Sequence, residues 1–344
     1  MKKHNDLVGK RKLNELDVDI VIIGAGVGGC IAAIALAADY NIVVIDKLAE
    51  PPEQVGECLP GATRRILYQL GLLSEFEQQA HLQSLGMQSY WGSERLQYVD
   101  HLNNPDGYSW HLQRPLFESF LRDKAIKYGV HGMWPAKLIG SHYEDGAWCL
   151  LTDSGANIRT KFVIDAGGRQ SPFARQQSVK RVAYDKLVSC WATISQKIDS
   201  NCVGSGVGLI SAVESGWWYS SPIPNNKRVI AFQTDSDLLD VEIKKDFSVF
   251  IERALMCPAM KALLCDASSF EMGKVLVSKD DGEYHGVISA NSTRSSQVAG
   301  KQWAALGDSA LSFDPLSSQG MFNAMATAMQ LSSLIKNAGD IKVM

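Results

Sequence analysis

The chain has 344 residues, of which 46% are hydrophobic and 21% charged, with a formal net charge of −3. This is enough apolar chain to bury a large core, in one big domain or two interleaved lobes. The near balance of charge excludes the broad basic field that nucleic-acid binding requires.

Residues 1–16 carry Lys2, Lys3, Lys10, Arg11 and Lys12 with no apolar run directly after them, so they read as a solvated tail and not a secretion signal. The next stretch, Ile20 to Ala38, has no charged residue and is long enough to span a bilayer. Its order argues otherwise. A β-branched run, Ile20 to Ile23, is followed by Gly24, Gly26, Gly28 and Gly29, which predicts a buried strand (Asp19–Ile23), a glycine turn and a small-residue helix (Val27–Ala38). No membrane span is expected. A strand over Ile42–Ile45 and helices over Gly61–Leu72 and Leu116–Tyr128 follow. Between Trp134 and Ile164, alternation and two glycine turns predict a β-meander. Strand-like runs cover Ser189–Ile194, Gly216–Ile223 and Val229–Phe232, and helices resume between Asp246 and Leu264. A strand, Trp303–Leu306, and a helix, Ser318–Ile335, close the series. Seven cysteines (30, 58, 149, 190, 202, 257 and 265) form no CxxC pair and no metal-ligand spacing. Reduced thiols in a cytoplasmic protein are the expectation, with Cys58 buried and structural and no metal bound.

Gly24-Ala25-Gly26-Val27-Gly28-Gly29 is a GxGxxG that directly follows a strand and opens a helix. Gly24 permits the tight turn, Gly26 lets backbone approach a pyrophosphate, and Gly29 lets helix and strand pack closely. Gly28 lies in the same turn, and the helix N-terminus supplies free N–H groups for phosphate. Asp46, followed by Lys47, ends the next strand, where an acidic side chain accepts bonds from an adenosine ribose. This pattern points to a dinucleotide without separating FAD from NAD.

The separating motif is at the other end. Trp303-Ala304-Ala305-Leu306-Gly307-Asp308 is an apolar strand closing on Gly-Asp, and Phe313-Asp314-Pro315-Leu316-Ser317-Ser318-Gln319-Gly320-Met321 is a turn entering a helix. Together they resemble the GD motif and flavin-facing turn of FAD monooxygenases. The resemblance implies that Asp308, beside Gly307, bonds the ribityl chain, and that the turn at Pro315, through backbone N–H groups after it that include those of Gly320 and Met321, meets the pyrimidine edge of the flavin. Val55-Gly56-Glu57-Cys58-Leu59-Pro60 resembles the Gly-Glu-Ser segment bordering the flavin in halogenase-like members, with Cys58 where serine is commoner. Gln113-Arg114-Pro115-Leu116-Phe117 resembles an Arg-x-x-Phe helix start, which brings Arg114 toward FAD. Val163 to Arg169 resembles an Asp-Ala-Thr-Gly-Arg segment, with Gly167 replacing threonine.

The resemblance implies an α/β fold with an α+β insert: a Rossmann-like FAD-binding domain of the p-hydroxybenzoate hydroxylase type, interleaved with a β-rich substrate domain. The FAD-binding part is expected over residues 17–85, 112–180 and 282–340, and the β-rich part over 86–111 and 181–281. FAD is expected to bind non-covalently. No second GxGxxG follows a strand, so NAD(P)H binds only in passing or a separate reductase supplies electrons.

Gly216-Trp217-Trp218-Tyr219-Ser220-Ser221-Pro222-Ile223-Pro224 resembles the Trp-x-Trp-x-Ile-Pro segment of flavin halogenases, but Tyr219 and Ser221 stand where its tryptophans fall. The lysine that halogenases use is also missing, since no lysine occurs from Ile66 to Asp123. Length and the two aromatic and Pro-Leu-Ser-Ser segments are more similar to the flavoproteins that mature the cysteine tryptophylquinone of glycine and lysine oxidases. That similarity implies a monooxygenase that hydroxylates a tryptophan side chain in the precursor of a quinone-dependent amino-acid oxidase, by way of a flavin C4a-hydroperoxide. Trp217 and Tyr219 share one face of a strand and Trp218 the other, so one face is core and one is open to a substrate cavity. His111 is a further cavity candidate, able to move protons but more readily a structural histidine, and no catalytic base is named. Two alternatives stay open: a hydroxylase or halogenase of a free small aromatic compound, and a non-catalytic FAD-containing chaperone of an oxidase precursor.

Overall fold

A computed structural model describes residues 15–101, 104–195, 207–264 and 282–339. The tail expected over residues 1–16 lies outside these as far as residue 14, as do Cys202 and Cys265, while Glu15 and Leu16 already belong to the first strand.

The first of two large sheets has a parallel core in the order His131–Met133, Ile42–Ile45, Glu15–Ile23, Asn157–Asp165 and Trp303–Ala305. Its central strand is apolar on both faces because both faces are covered, as parallel sheets require. Ile20 and Ile22 point into a layer formed by the helices Val27–Leu36, Arg114–Lys127 and Gly320–Asn337. Val21 and Ile23 point the other way, onto Leu150, Phe173 and Trp303. The expected meander is present. Leu138–Glu144 pairs with Ala147–Thr152, which pairs with the first half of Asn157–Asp165. That last strand changes partner along its length: residues 157–160 oppose the meander, and residues 163–165 oppose Trp303–Ala305.

The second sheet runs in the order Gly282–Ser289, Leu187–Ser195, Lys227–Asp235, Gly216–Ile223, Gly208–Val213, Gly86–Tyr90 and Gln97–Asp100. One face, with Cys190, Trp218 and Phe232, packs against Phe250 and Met260 of two helices, Phe247–Met256 and Pro258–Leu264. The other face carries Trp191, Tyr219, Val229 and Ala231. A small third sheet joins Cys58–Leu59, Ser109–His111 and Leu82–Ser84.

One strand expected in the FAD-binding part pairs elsewhere. Gly282–Ser289 pairs with Leu187–Ser195 and so belongs to the β-rich sheet, not to the first lobe. The helix expected over Gly61–Leu72 is shorter, Thr63–Gln69, because Gly71 takes φ +69° and turns the chain into a separate short helix, Leu73–Glu77. Among the described residues, no helix is long and apolar enough to cross a membrane.

Candidate functional site

The glycine turn separates two uses of glycine. A Cβ on Gly24, at φ +110°, would lie 2.5 Å from the Ala166 carbonyl oxygen, and one on Gly29 would lie 1.9 Å from that of Gly24. These two positions let the turn, the helix and the neighbouring loop touch. Gly26 differs, since no protein atom lies within 4 Å of where its Cβ would be. It leaves an open cradle at the start of the helix Val27–Leu36, whose first turn has no side-chain cap.

Asp46 holds that turn in place. Its Oδ2 accepts the Ala25 N–H at 2.7 Å and its Oδ1 accepts the Leu48 N–H at 2.8 Å. The sequence motif did not reveal its partner, Arg122, which is buried and 3.5 Å from Asp46 Oδ2. Arg122 also donates to the carbonyls of Ala25, Leu48 and Ala49 at 3.0–3.1 Å. Lys47 reaches outward and donates to Gln170 Oε1 at 2.8 Å.

At the opposite end, Asp165 is fully buried and accepts four N–H or O–H groups, from Gly167, Phe173, Ala174 and Ser309, at 2.9–3.2 Å. Burial pushes its pKa up, and those hydrogen bonds pull against it. Arg181, also unforeseen, donates to the Asp308 carbonyl, to Ser171 Oγ at 2.8 Å and to Thr293 Oγ1 at 2.6 Å. It therefore holds the Gly307–Asp308 turn by its main chain. The Gly307 N–H donates to Thr327 Oγ1 at 3.1 Å, tying the turn to the last helix. The Asp308 carboxylate is left half-exposed toward the cavity, with Arg169 Nε at 3.5 Å. Burial raises its pKa, against the pull of Arg169, Arg181 and Arg114. Asp314 Oδ1 caps the turn at Pro315–Ser317 by accepting the Leu316 N–H at 2.9 Å. The helix Gly320–Asn337 then begins with no side-chain cap, and its first N–H groups are free.

Between these ends and the second sheet is a cavity of about 940 Å³. Gly24, Gly26, Gly28, Asp46, Lys47, Arg114, Gly307, Asp308, Pro315, Gly320 and Met321 all line it, while Gly29 is packed behind the turn. Trp217 and Tyr219 line its far wall with Ile210, Ser189 and Gln233. Trp218 faces away into the core, against Phe232 and Phe250, so the alternation read from the sequence holds. Ser189 Oγ is buried and meets no hydrogen-bond partner. Arg114 pairs with Glu118 at 2.5 Å and donates to the Gly56 carbonyl at 2.7 Å.

Two residues differ from expectation. Glu57 is buried behind the segment that borders the cavity, where it accepts the Tyr219 hydroxyl and, at 3.0 Å, the Gly56 N–H. His111 does not line the cavity. It is fully buried behind the wall, because Ser109–His111 is the middle strand of the small sheet. Its Nδ1 lies 2.8 Å from Ser221 Oγ, its Nε2 has no partner, and burial drives its pKa down to about 3. Cys58 is the buried thiol expected, with burial pushing its pKa up to about 12. A second cavity of about 290 Å³ lies on the other side of this segment.

Comparison with known proteins identifies what this frame holds. The FAD binding domain family matches residues 17–238, more than half of the chain. The chain belongs to that family, and its cofactor is FAD. As an FAD binding domain protein it is a flavin-dependent oxidoreductase. It is 24% identical to the putative FAD-dependent oxidoreductase LodB of Marinomonas mediterranea, over 90% of this chain and 82% of that protein. It is 22% identical to a tryptophan 2-halogenase of Chondromyces crocatus, over 94% of this chain but only 62% of the halogenase. The solved structure of the myxobacterial chondrochloren halogenase CndH shares the fold, with a TM-score of 0.80 at 22% identity over 94% of this chain and 76% of that one. The halogenase PltM, solved with phloroglucinol and FAD, superposes with a TM-score of 0.76 at 19% identity over 93% of this chain and 70% of that one. The residues present fit such a cofactor: the open cradle at Gly26 and the uncapped helix suit a pyrophosphate, and the cavity runs on from there past Asp308.

Proposed function

We propose that this enzyme hydroxylates a tryptophan side chain in the precursor of a quinone-dependent amino-acid oxidase, as a step in cysteine tryptophylquinone biosynthesis. In this reading FAD lies along the cavity with its pyrophosphate over Gly26 and its ribityl chain beside Asp308. Asp46 and Lys47 stand at the adenosine end. Arg114 and the uncapped first turn of the helix Gly320–Asn337 stand at the flavin end, where the helix dipole favours negative charge on the reduced ring. Bound there, FAD supplies the redox chemistry, taking electrons from an external donor such as NAD(P)H and activating O₂.

The chain's own residues supply position and shelter. Trp217 and Tyr219 present an aromatic surface across the cavity from the glycine turn, against which an indole ring can stack. This wall is the observation that carries the proposal. Ile210 and Val55 make its surroundings apolar and keep water from the reacting carbon, while Ser189 Oγ offers a hydrogen-bonding group with no partner of its own. The similarity to LodB over most of both chains supports the same reading.

The test is coexpression. Precursor made with this protein is expected to gain two oxygens on its target tryptophan, read by intact mass, and precursor made with Asp308→Ala to stay unmodified. Equal maturation without this protein would defeat the proposal. The halogenase relatives favour a second reading, halogenation of a free aromatic compound. Against it stand the missing lysine between Ile66 and Asp123 and the replacement of two tryptophans by Tyr219 and Ser221. Chlorinated or brominated product under reduced-flavin conditions would favour that second reading instead.

A further inference from the structure

The two cavities adjoin, with Gln54 and Arg114 lining both, and one hydrogen bond joins a residue of one wall to a residue of the other. Tyr219 lines the larger cavity and not the smaller, and Glu57 lines the smaller and not the larger. The Tyr219 hydroxyl donates to Glu57 Oε1. The smaller cavity meets solvent: Glu53, Asn225, Lys227 and Glu283 on its rim are all exposed. We propose that Tyr219 and Glu57 form a proton relay between the two, exchanging protons between the FAD cavity and bulk water.

The step balances without any change in electron count. A proton released in the FAD cavity is taken by Tyr219 Oη as the phenolic proton passes to Glu57 Oε1. Glu57 then gives its proton to water in the smaller cavity. Tyr219 ends as a phenol and Glu57 as a carboxylate, as they began. In reverse the same pair brings a proton in. The reduced cofactor needs one when O₂ reoxidises it, since reduced anionic flavin, O₂ and one proton yield oxidised flavin and hydrogen peroxide.

The groups packed around the pair leave it to carry the proton. Arg228, fully buried on the adjacent strand Lys227–Asp235, donates to Ser220 Oγ at 3.2 Å. Burial pulls Arg228 down to about 10, and nearby Tyr219 and Glu57 oppose that fall, so it remains a cation beside the carboxylate. Burial, with Glu57 beside it, holds the Tyr219 phenol protonated well above its ordinary range. Cys58, raised to about 12 by burial and by Glu57, remains a thiol. His111, lowered to about 3 by burial, Arg228 and His101, remains neutral. Arg114, on the flank, is occupied by Glu118 and the Gly56 carbonyl.

The relay rests on FAD binding and not on the identity of the substrate, so it is tested without one. FAD-loaded full chain is reduced, then mixed with O₂ in weakly buffered solution holding a pH-indicator dye. In the parent, proton uptake and the return of oxidised flavin absorbance are expected to coincide. In Tyr219→Phe and Glu57→Gln, proton uptake is expected to slow at least about tenfold and to gain a larger H₂O/D₂O effect, with FAD affinity kept within about threefold. Should Glu57→Gln fail to fold beside Arg228, Tyr219→Phe decides alone, since it keeps the ring and its packing. Proton uptake at the parent rate in FAD-loaded Tyr219→Phe overturns the relay. So does a variant that loses FAD affinity or melting temperature while its two traces still coincide, because that marks a structural role.

Discussion

The two sides of the FAD cavity are made differently. On the parallel-sheet side, Asp46, Arg122, Asp165 and Arg181 point into the protein and hold main chain, so that backbone meets the ligand at the glycine turn and before the last helix. On the seven-stranded side, the side chains Trp217, Tyr219, Ser189 and Gln233 face the space themselves. In the proposed reading the first side meets the cofactor largely through main chain, with Asp308 and Arg114 as charged side chains that also line the cavity. The second side selects by side-chain shape, and substitutions there leave the cofactor's contacts intact.

That contrast predicts a ranking of effects. Gly26→Val should do most, filling the open cradle at the start of the helix Val27–Leu36. FAD affinity is expected to fall at least about 100-fold, roughly 2.8 kcal/mol, with the melting temperature of the FAD-free protein unchanged. Calorimetric titration with FAD and a thermal scan check both halves, and a variant that still binds FAD would move the pyrophosphate elsewhere. Asp308→Ala comes next. It removes a side chain that faces the ligand from the otherwise main-chain side, at an expected cost of about 1.5–3 kcal/mol in FAD binding, read by the same titration. The smallest effect belongs to the opposite wall. Trp217→Leu is expected to change FAD affinity by less than about 0.5 kcal/mol while abolishing modification of the precursor tryptophan. A large loss of FAD affinity in that variant would erase the division between the two sides.

The cofactor side was the more legible in the sequence for the same reason. Backbone recognition needs glycines at fixed spacing, so Gly24, Gly26 and Gly29 stand out, and Gly307–Asp308 follows a plain apolar strand. The residues that brace it did not stand out. Arg122 is one arginine within a helix of mixed character, and Arg181 begins a three-residue strand with no pattern around it. Nothing local marks Tyr219 and Glu57 as partners, since 162 positions separate them. His111 is the structural histidine that it more readily read as, and only its alternative as a cavity residue fails, since a lone histidine beside Trp110 carries no sign of which side of a sheet it will face. The strands Gly86–Tyr90 and Gln97–Asp100 fall in the stretch 86–111 expected to be β-rich but were not read individually. Gln97–Asp100 is the largely exposed edge of its sheet and Gly86–Tyr90, next to it, is mostly half-buried, and the alternation that betrays a strand comes from burying one face. Gly282–Ser289 was assigned to the wrong lobe because strand pairing across a long insertion leaves no local trace.

The strand Asn157–Asp165 bears on how the molecule is synthesised. Its second half is completed by Trp303–Ala305, and the turn and helix that follow carry Asp308 and Gly320. The glycine turn at the other end of the cavity leaves the ribosome nearly three hundred residues earlier. A nascent chain can form its first strands and the meander from local contacts, but the end of the pocket at Asp308 and Gly320 does not exist until residues 303–321 have been made. Pairings this distant close slowly, because much chain entropy is lost before they form. The edge at residues 163–165 therefore stays unpaired on one side while about 140 further residues are made, and an exposed strand edge in that interval is open to misassociation.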